Sequence, residues 1–285
     1  MKKLIVILAV LGAIAFALLA VIVVVALVKV LIGPSVPTRT IVELDLEQAL
    51  IEDLPDDPIA QALMRKQMTV RDVVEGLQMA REDDHVIGLV ARVGNPGLGL
   101  AGIQEIRAAL EAFRDQGKPT LCWAETFGEF ANGTGAYYLA TACDEIWLQP
   151  SGDVGLTGLI AETPFVRDLL DELDVVPRLD QRHEYKNAMN IYTDREYSAP
   201  HREATQSIVD SLFGQIVRGI AERRGLSESR VRELVDGAPY YGHEAIELSL
   251  VDRLGYRDEV YTAAKSWQES AELLYLAKYL ERVGH

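Results

Sequence analysis

The run Asn132-Gly133-Thr134-Gly135-Ala136-Tyr137-Tyr138-Leu139-Ala140-Thr141-Ala142 sets two glycines around a hydroxyl residue and continues into a helix-compatible segment. The strand-like run Pro119-Thr120-Leu121-Cys122-Trp123 lies just before it. Strand, glycine-rich turn and helix together present a hydroxyl and free backbone N–H groups at a helix N-terminus. Acyl-transfer enzymes use that geometry for a nucleophile beside an oxyanion site. The same residues also read as a plain turn, with Asn132 or Thr134 as the helix N-cap. The two readings place different demands on the rest of the chain.

Working outward, the strand–loop–helix unit recurs. Val86–Val93 is a buried-strand signal, Gly94–Gly99 a glycine loop, and Gly102–Arg114 a helix with Ile103, Ile106, Leu110 and Phe113 at helical spacing. After the Gly-Thr-Gly turn, Ala142–Leu148 reads as another strand and Pro150–Gly158 as another glycine-punctuated loop. Such alternation implies parallel strands joined by crossovers, with the glycine loops on one carboxyl edge, where ligand sites of open α/β sheets gather. Upstream, Thr40–Leu46 alternates with period two and reads as a half-buried strand, and Thr69 opens a helix. Downstream, Phe165–Leu173 reads as a short helix and Val175–Leu179 as a strand. Ser198 caps a long helix with Pro200 in its first turn and a stripe of Ile208, Leu212, Ile216 and Ile220. Ser227 caps a further helix, and Tyr256–Tyr279 reads as one amphipathic helix.

The chain has 285 residues, 49% hydrophobic and 25% charged, enough for a substantial core. With 28 Lys and Arg against 43 Asp and Glu its formal charge is −15, and every acid lies after residue 32. An acidic body argues against nucleic acid as a partner. Two cysteines, Cys122 and Cys143, are too few for a disulfide framework; both sit in apolar runs, which favours buried thiols and leaves a bridge open. The five histidines show no ligand spacing and the cysteines no C-x-x-C, so no metal and no cofactor are implied. Lys2 and Lys3 precede an unbroken apolar run, Leu4–Val28, long enough to span a bilayer and longer than the apolar core of a cleavable leader. An uncleaved anchor is the favoured reading over a cleaved leader. The lysine bias puts the N-terminus inside and the body outside, in a bacterium the periplasm.

Taken in order, Asn95-Pro96-Gly97, Gly135-Ala136-Tyr137-Tyr138, Glu184-Tyr185-Lys186, Ser198-Ala199-Pro200-His201-Arg202-Glu203, and Gly242-His243-Glu244-Ala245 before Leu250-Val251-Asp252 resemble the signal peptide peptidase A family. These are membrane-anchored Ser–Lys peptidases, and the resemblance covers nearly the whole body. It implies an α/β fold: a ClpP/crotonase-like stack of β-β-α units with a helical C-terminal half, preceded by one transmembrane helix. It also implies homo-oligomer contacts and placement in the bacterial inner membrane. The implied substrates are leftover signal peptides and other apolar, extended peptides. Lys186 takes the place of the general base. A serine hydroxyl needs such a base, and burial lets a lysine serve; read without the family, Lys186 is a solvated surface residue. Thr134 falls where single-repeat members carry the nucleophilic serine, and Gly97 and Gly135 fall at the oxyanion backbone.

Three departures accompany the match. Thr134 replaces serine, Gly97-Leu98 replaces a glycine pair, and Leu156 stands where relatives carry a serine near the lysine. In the long, two-repeat form the first repeat supplies the lysine and the second the serine, and this chain resembles that first repeat. The implied organisation is an anchor at 1–32, a linker at 33–39, a peptidase domain at 40–267 and a segment at 268–285 leading toward a Ser-bearing second repeat. A self-sufficient Thr134–Lys186 hydrolase and a non-catalytic membrane scaffold of the same fold are the alternatives.

Overall fold

Four strands in sequence order, each followed by a helix or a turn, lay down the centre of a parallel sheet. They are β1 (Thr40–Asp45), β2 (Val86–Arg92), β3 (Thr120–Ala124) and β4 (Glu145–Leu148), crossed over by α1 (Val70–Glu82), α2 (Leu100–Arg114) and α3 (Thr134–Ala140). The computed structural model describes residues 35–54, 57, 67–94, 97–129 and 132–284. The apolar run Leu4–Val28 lies outside the described residues, and among those described no helix is long and apolar enough to cross a membrane.

Strand alternation sorts the core into two faces. Val42, Leu44, Leu89, Ala91, Cys122, Ala124, Ile146 and Leu148 point to the side covered by α1, α2 and α3. Ile41, Val90, Leu121, Trp123 and Trp147 point to the opposite side. There Val260 and Ala264 of a later helix, α9 below, cover them. Local chemistry sets the element boundaries. Thr69 caps α1 through a reciprocal box, its hydroxyl accepting from Asp72 N at 3.0 Å while Asp72 accepts from Thr69 N at 2.8 Å. Ile103, Ile106, Leu110 and Phe113 of α2 are all buried, as their spacing implies.

After β4 the chain forms a short strand, β5 (Asp153–Val154), then α4 (Arg167–Glu172), a 3₁₀ turn (Asn187–Met189) running into α5 (Asn190–Thr193), and the long α6 (Ala199–Arg224). It continues through α7 (Glu228–Gly237), β6 (Tyr240–Tyr241), α8 (Gly242–Glu247), β7 (Arg253–Leu254), α9 (Arg257–Lys265), β8 (Glu272–Tyr275) and α10 (Leu276–Val283). The main sheet has the order β7-β4-β3-β2-β1-β8, every neighbour parallel. β5 and β6 pair separately and antiparallel.

Several expectations change. Tyr256–Tyr279 is not one helix: α9 ends at Lys265, and Glu272–Tyr275 joins the sheet beside β1. The sheet therefore extends into the 268–285 segment. β8 covers the edge of β1, and helices on each side of the sheet bury both of its faces instead of one, Glu43 included. The Glu43 carboxylate is met by Arg257 at 3.0 Å and by the Tyr261 hydroxyl. Val175–Leu179 is not a strand; its residues make no ladder and Val175, Val176 and Leu179 are exposed. Cys122 and Cys143 are not free thiols but a disulfide. The turn after α3 returns the chain beside β3, which brings the two Cα atoms to 5.7 Å. Finally, the stripe on α6 is split: Ile216 and Ile220 are buried, whereas Ile208 faces outward.

Candidate active site

Because the central strands are parallel, the loops after β2, β3 and β4 meet at one edge. The loops after β3 and β4 are zipped together by backbone bonds. Phe127 N donates to Asp153 O at 2.8 Å, Gly155 N to Phe127 O at 2.7 Å, and Gly133 N to Gly155 O at 3.0 Å. Gly133 is required at this crossing, since a Cβ there would sit 1.8 Å from the Phe127 carbonyl oxygen.

Thr134 begins α3 directly after this crossing and is fully buried. Its hydroxyl oxygen accepts from Gly158 N at 2.9 Å. The neighbouring Asn132 side chain donates to Gly158 O at 2.7 Å and accepts from Thr134 N at 2.9 Å. The N-cap position itself is Gly133, with Asn132 supplying the side-chain acceptor one residue earlier. Asn132, Thr134 and Gly158 thus form a closed polar knot in which the hydroxyl serves the backbone. A nucleophile needs a base and open space beside its oxygen; this oxygen has neither among the described residues.

The rest of the Gly-Ala-Tyr-Tyr motif is equally structural. Tyr137 is fully buried, donates to Leu250 O at 2.7 Å and meets Phe127 edge-on at 5.5 Å. Burial pushes its phenol well above the ordinary range. The guanidinium of Arg107 lies 4.5 Å from the Tyr138 ring centre. Asp252 accepts from Ile146 N at 2.7 Å and from both terminal nitrogens of Arg224 at 3.0 and 2.9 Å, which ties α6 to the sheet.

Gly97 lies in the loop after β2 with φ +67°, while Asn95 and Pro96 of its motif lie outside the described residues. Gly135 sits in the first turn of α3, where a Cβ would come 2.8 Å from Ile103 Cδ1. Leu156 is buried in the main core. Between the loops opens a cavity of about 470 Å³ lined by Glu125, Glu129, Gln149, Asp153 and Tyr241 among others. Its lining is polar and acidic. Beside it, Arg92 is held by Glu47 at 2.5 Å and Glu125 at 2.7 Å. Burial raises the Glu47 carboxyl against the opposing pull of Arg92.

Lys186 lies elsewhere, on the segment between β5 and α6. It is exposed, and its ammonium has no hydrogen-bond or ion-pair partner among the described residues. The structure does not join Lys186 to Thr134. The backbone on either side is fixed: Tyr185 donates its hydroxyl to Glu203 at 2.8 Å, and Lys186 N donates to His183 O at 2.9 Å. Apolar exposure concentrates on this segment too, with Ile160 at 76% and Val176 at 71%. A groove of about 280 Å³ runs between Leu159–Ala161 and the start of α6, lined by Tyr197, Arg202 and Val209. The groove's lining is mixed, with Leu159, Ile160 and Val209 beside Arg202, Thr205 and Gln206. Sequence reading gave Gly133, Gly158 and Asn190 no role at the site; the Asn-Gly-Thr-Gly spacing was the available signal for Gly133.

Residues 112–271 match the model of peptidase family S49. Protease 4 of Haemophilus influenzae is 29% identical over 167 residues, which cover 58% of this chain and 26% of that protein. A putative protease of Synechocystis is 28% identical over 199 residues, covering 70% of this chain and 68% of that protein. The chain thus spans about a quarter of the first relative and about two thirds of the second. An enoyl-CoA hydratase/isomerase family protein from Silicibacter pomeroyi superposes with a TM-score of 0.39 at 17% identity, covering 82% of this chain and 79% of that one. At such a score the superposition settles neither fold nor chemistry.

Proposed function

The chain belongs to peptidase family S49, and from that premise we propose that it is the lysine-donating half of a membrane-anchored Ser–Lys signal peptide peptidase of ClpP/crotonase type. The observation that carries this reading is the spent hydroxyl of Thr134, buried and accepting from Gly158 N. With that position closed, the nucleophile must come from elsewhere, and the second repeat of the long family form is the source we propose.

In the proposed reaction a serine of the second repeat gives its proton to the Lys186 amine and attacks the scissile carbonyl. Backbone N–H groups steady the oxyanion, the part that the resemblance gives to the positions of Gly97 and Gly135. The lysinium then returns the proton to the leaving amine, and water releases the acyl-enzyme by the reverse route. An exposed lysine is a poor base, so the second repeat must cover it. The exposed apolar residues around Lys186 suit such a cover, or a second copy in a homo-oligomer. Substrates are leftover signal peptides and other extended apolar peptides, for which Leu159, Ile160 and Val209 of the groove beside Tyr197 offer apolar contacts. Leu4–Val28 anchors the chain in the bacterial inner membrane with its body in the periplasm; the Cys122–Cys143 disulfide suits an oxidising compartment.

The test is reconstitution. The chain alone is expected to leave a fluorogenic signal-peptide substrate intact, and addition of a Ser-bearing second repeat is expected to start hydrolysis. Activity from the chain alone would instead support the self-sufficient Thr134–Lys186 hydrolase. Inactivity with every Ser-bearing partner would support the scaffold. Alkaline carbonate that released the intact chain from membranes would remove the anchor from the proposal.

A further inference from the structure

Four residues beyond Lys186 stands a polar side chain with an unmet need. Asn190 is 1% exposed, and its Oδ1 has no hydrogen-bond partner among the described residues. Its Nδ2 donates to Ser198 Oγ at 3.4 Å. Turning the amide over leaves the other head unpartnered, so one head is orphaned either way. Asn187 Oδ1 is likewise buried without a partner. Buried polar atoms in native proteins are nearly always paired, and an orphan is costly. Lys186 is the N-cap of the 3₁₀ turn Asn187–Met189, which runs directly into α5. Asn187 follows Lys186 directly, and Asn190 opens α5 after that single turn. Lys186 carries N–H donors without acceptors, and its neighbours carry acceptors without donors.

We propose that Asn190, with Asn187, is a positioning residue that seats the Lys186 amine and directs its lone pair; the catalytic consequence rests on the reading of Lys186 as the base. The flexible four-carbon stem folds back so that two N–H bonds of the neutral amine are donated to the two carbonyl oxygens. The lone pair is then the only valence left and faces outward, toward the incoming serine. When the serine O–H bond breaks and a third N–H bond forms, the resulting ammonium keeps the same two acceptors. They hold a cation more strongly than a neutral amine, so they favour the proton-transferred state. The segment is tied to α6 by the Tyr185–Glu203 bond, and Ser198 caps that helix. The titratable groups on the surrounding elements are His183, Glu184, Tyr185, Asp194, Arg195, His201, Arg202 and Glu203, with Arg167, Asp168, Asp171 and Glu172 on α4, which packs against α5. Glu203 is held by Tyr185, and Arg202 lies over the Tyr197 ring at 5.2 Å.

The test reads Lys186 without using catalysis. The 285-residue chain is pulsed with acetic anhydride across a pH series, and acylation at Lys186 is followed by peptide mass spectrometry. Asn190→Asp places a carboxylate at the seat, and an opposite charge in contact is expected to raise the midpoint for Lys186 by about one pH unit or more. Asn187→Leu and Asn190→Leu remove the acceptors without adding charge and are expected to lower it; because Asn187 is only half-buried, its variant reports even where those at Asn190 do not fold. Wild-type midpoints in the variants that fold would overturn the seat, since a merely structural asparagine leaves the lysine titration alone. Lys186→Ala in the reconstituted pair separates the two claims. Shifted midpoints with hydrolysis surviving that substitution would keep the seat and remove the base.

Discussion

The loops at the carboxyl edge of the sheet and the segment from residue 159 to residue 198 use similar residue types in opposite settings. In the loops, Thr134 is 0% exposed, and three hydrogen bonds tie Asn132, Thr134 and Gly158 to one another. In the segment, α4 buries no residue, large apolar side chains face solvent, and Lys186 and Asn190 hold complementary groups that no described partner satisfies. The knot is closed by its own chain. The segment is left incomplete by it. α6 belongs to both, since Ile216 and Ile220 lie in the core while Ile208 faces outward. The comparison teaches that a site-like sequence pattern can be a structural lock, while unmet hydrogen bonding and exposed apolar surface gather on a different segment.

The contrast can be broken by substitutions on each side. The largest expected loss is at Gly133→Ala, whose new Cβ would fall on the Phe127 carbonyl. Loss of about 4 kcal/mol or more is expected, the range of severe backbone clashes, read as failure to give a cooperative urea transition; a folded variant of wild-type stability would show that the two loops are not locked.

Thr134→Val keeps the shape and removes the acceptor for Gly158 N, leaving a buried donor unpaired at a cost of about 1–3 kcal/mol. Thr134→Ser retains the oxygen and should lose less. Equal transitions for Val and wild type would mean that the hydroxyl is not holding the knot.

Tyr137→Phe is expected to cost about 1–1.5 kcal/mol through the lost bond to Leu250 O. It should also alter the alkaline limb of stability. Burial raises the folded phenol above its unfolded value near 10. Its stabilising contribution is therefore complete below about pH 10 and is lost as pH climbs toward the folded value. Denaturation midpoints should fall above pH 10 in the wild type and fall less steeply in Tyr137→Phe; parallel slopes would contradict the assignment.

The smallest effect is expected in the unfinished segment. Val176→Ser should change the stability of the isolated chain by no more than about 0.5 kcal/mol, because the side chain is already in solvent. A loss above 1 kcal/mol would mean that the segment is packed by its own chain after all.

Much of this architecture is legible in the residues. The apolar runs at β2 and β3, the stripe Ile103–Phe113 and the caps Thr69, Ser198 and Ser227 place the parallel core because local pattern and tertiary burial agree. β8 is hidden inside a helix-like pattern, since Glu272–Tyr275 becomes a strand only by pairing with Thr40–Glu43, more than 200 residues away. The Cys122–Cys143 bridge depends in the same way on the return of the chain beside β3. For the site, glycine spacing shows that a tight crossing exists near Thr134. It does not show which way the hydroxyl points, because its partner, Gly158, lies 24 residues on in another loop. Val176 and its neighbours read as a strand because apolar residues normally signal burial; here the surface they need is absent from the described residues.

Hydrolysis of a signal-peptide substrate by the chain combined with a Ser-bearing second repeat, compared for Lys186→Ala and Thr134→Val, measures the central claim. Lys186→Ala is expected to lower kcat by at least about a thousandfold, of the size seen when a general base is lost from a nucleophile–base pair, with the urea midpoint unchanged. Thr134→Val is expected to lose stability and to keep kcat per folded molecule within about threefold, since a residue outside the chemistry leaves it alone. The reverse pattern, with hydrolysis abolished in folded Thr134→Val and retained in Lys186→Ala, would contradict the account.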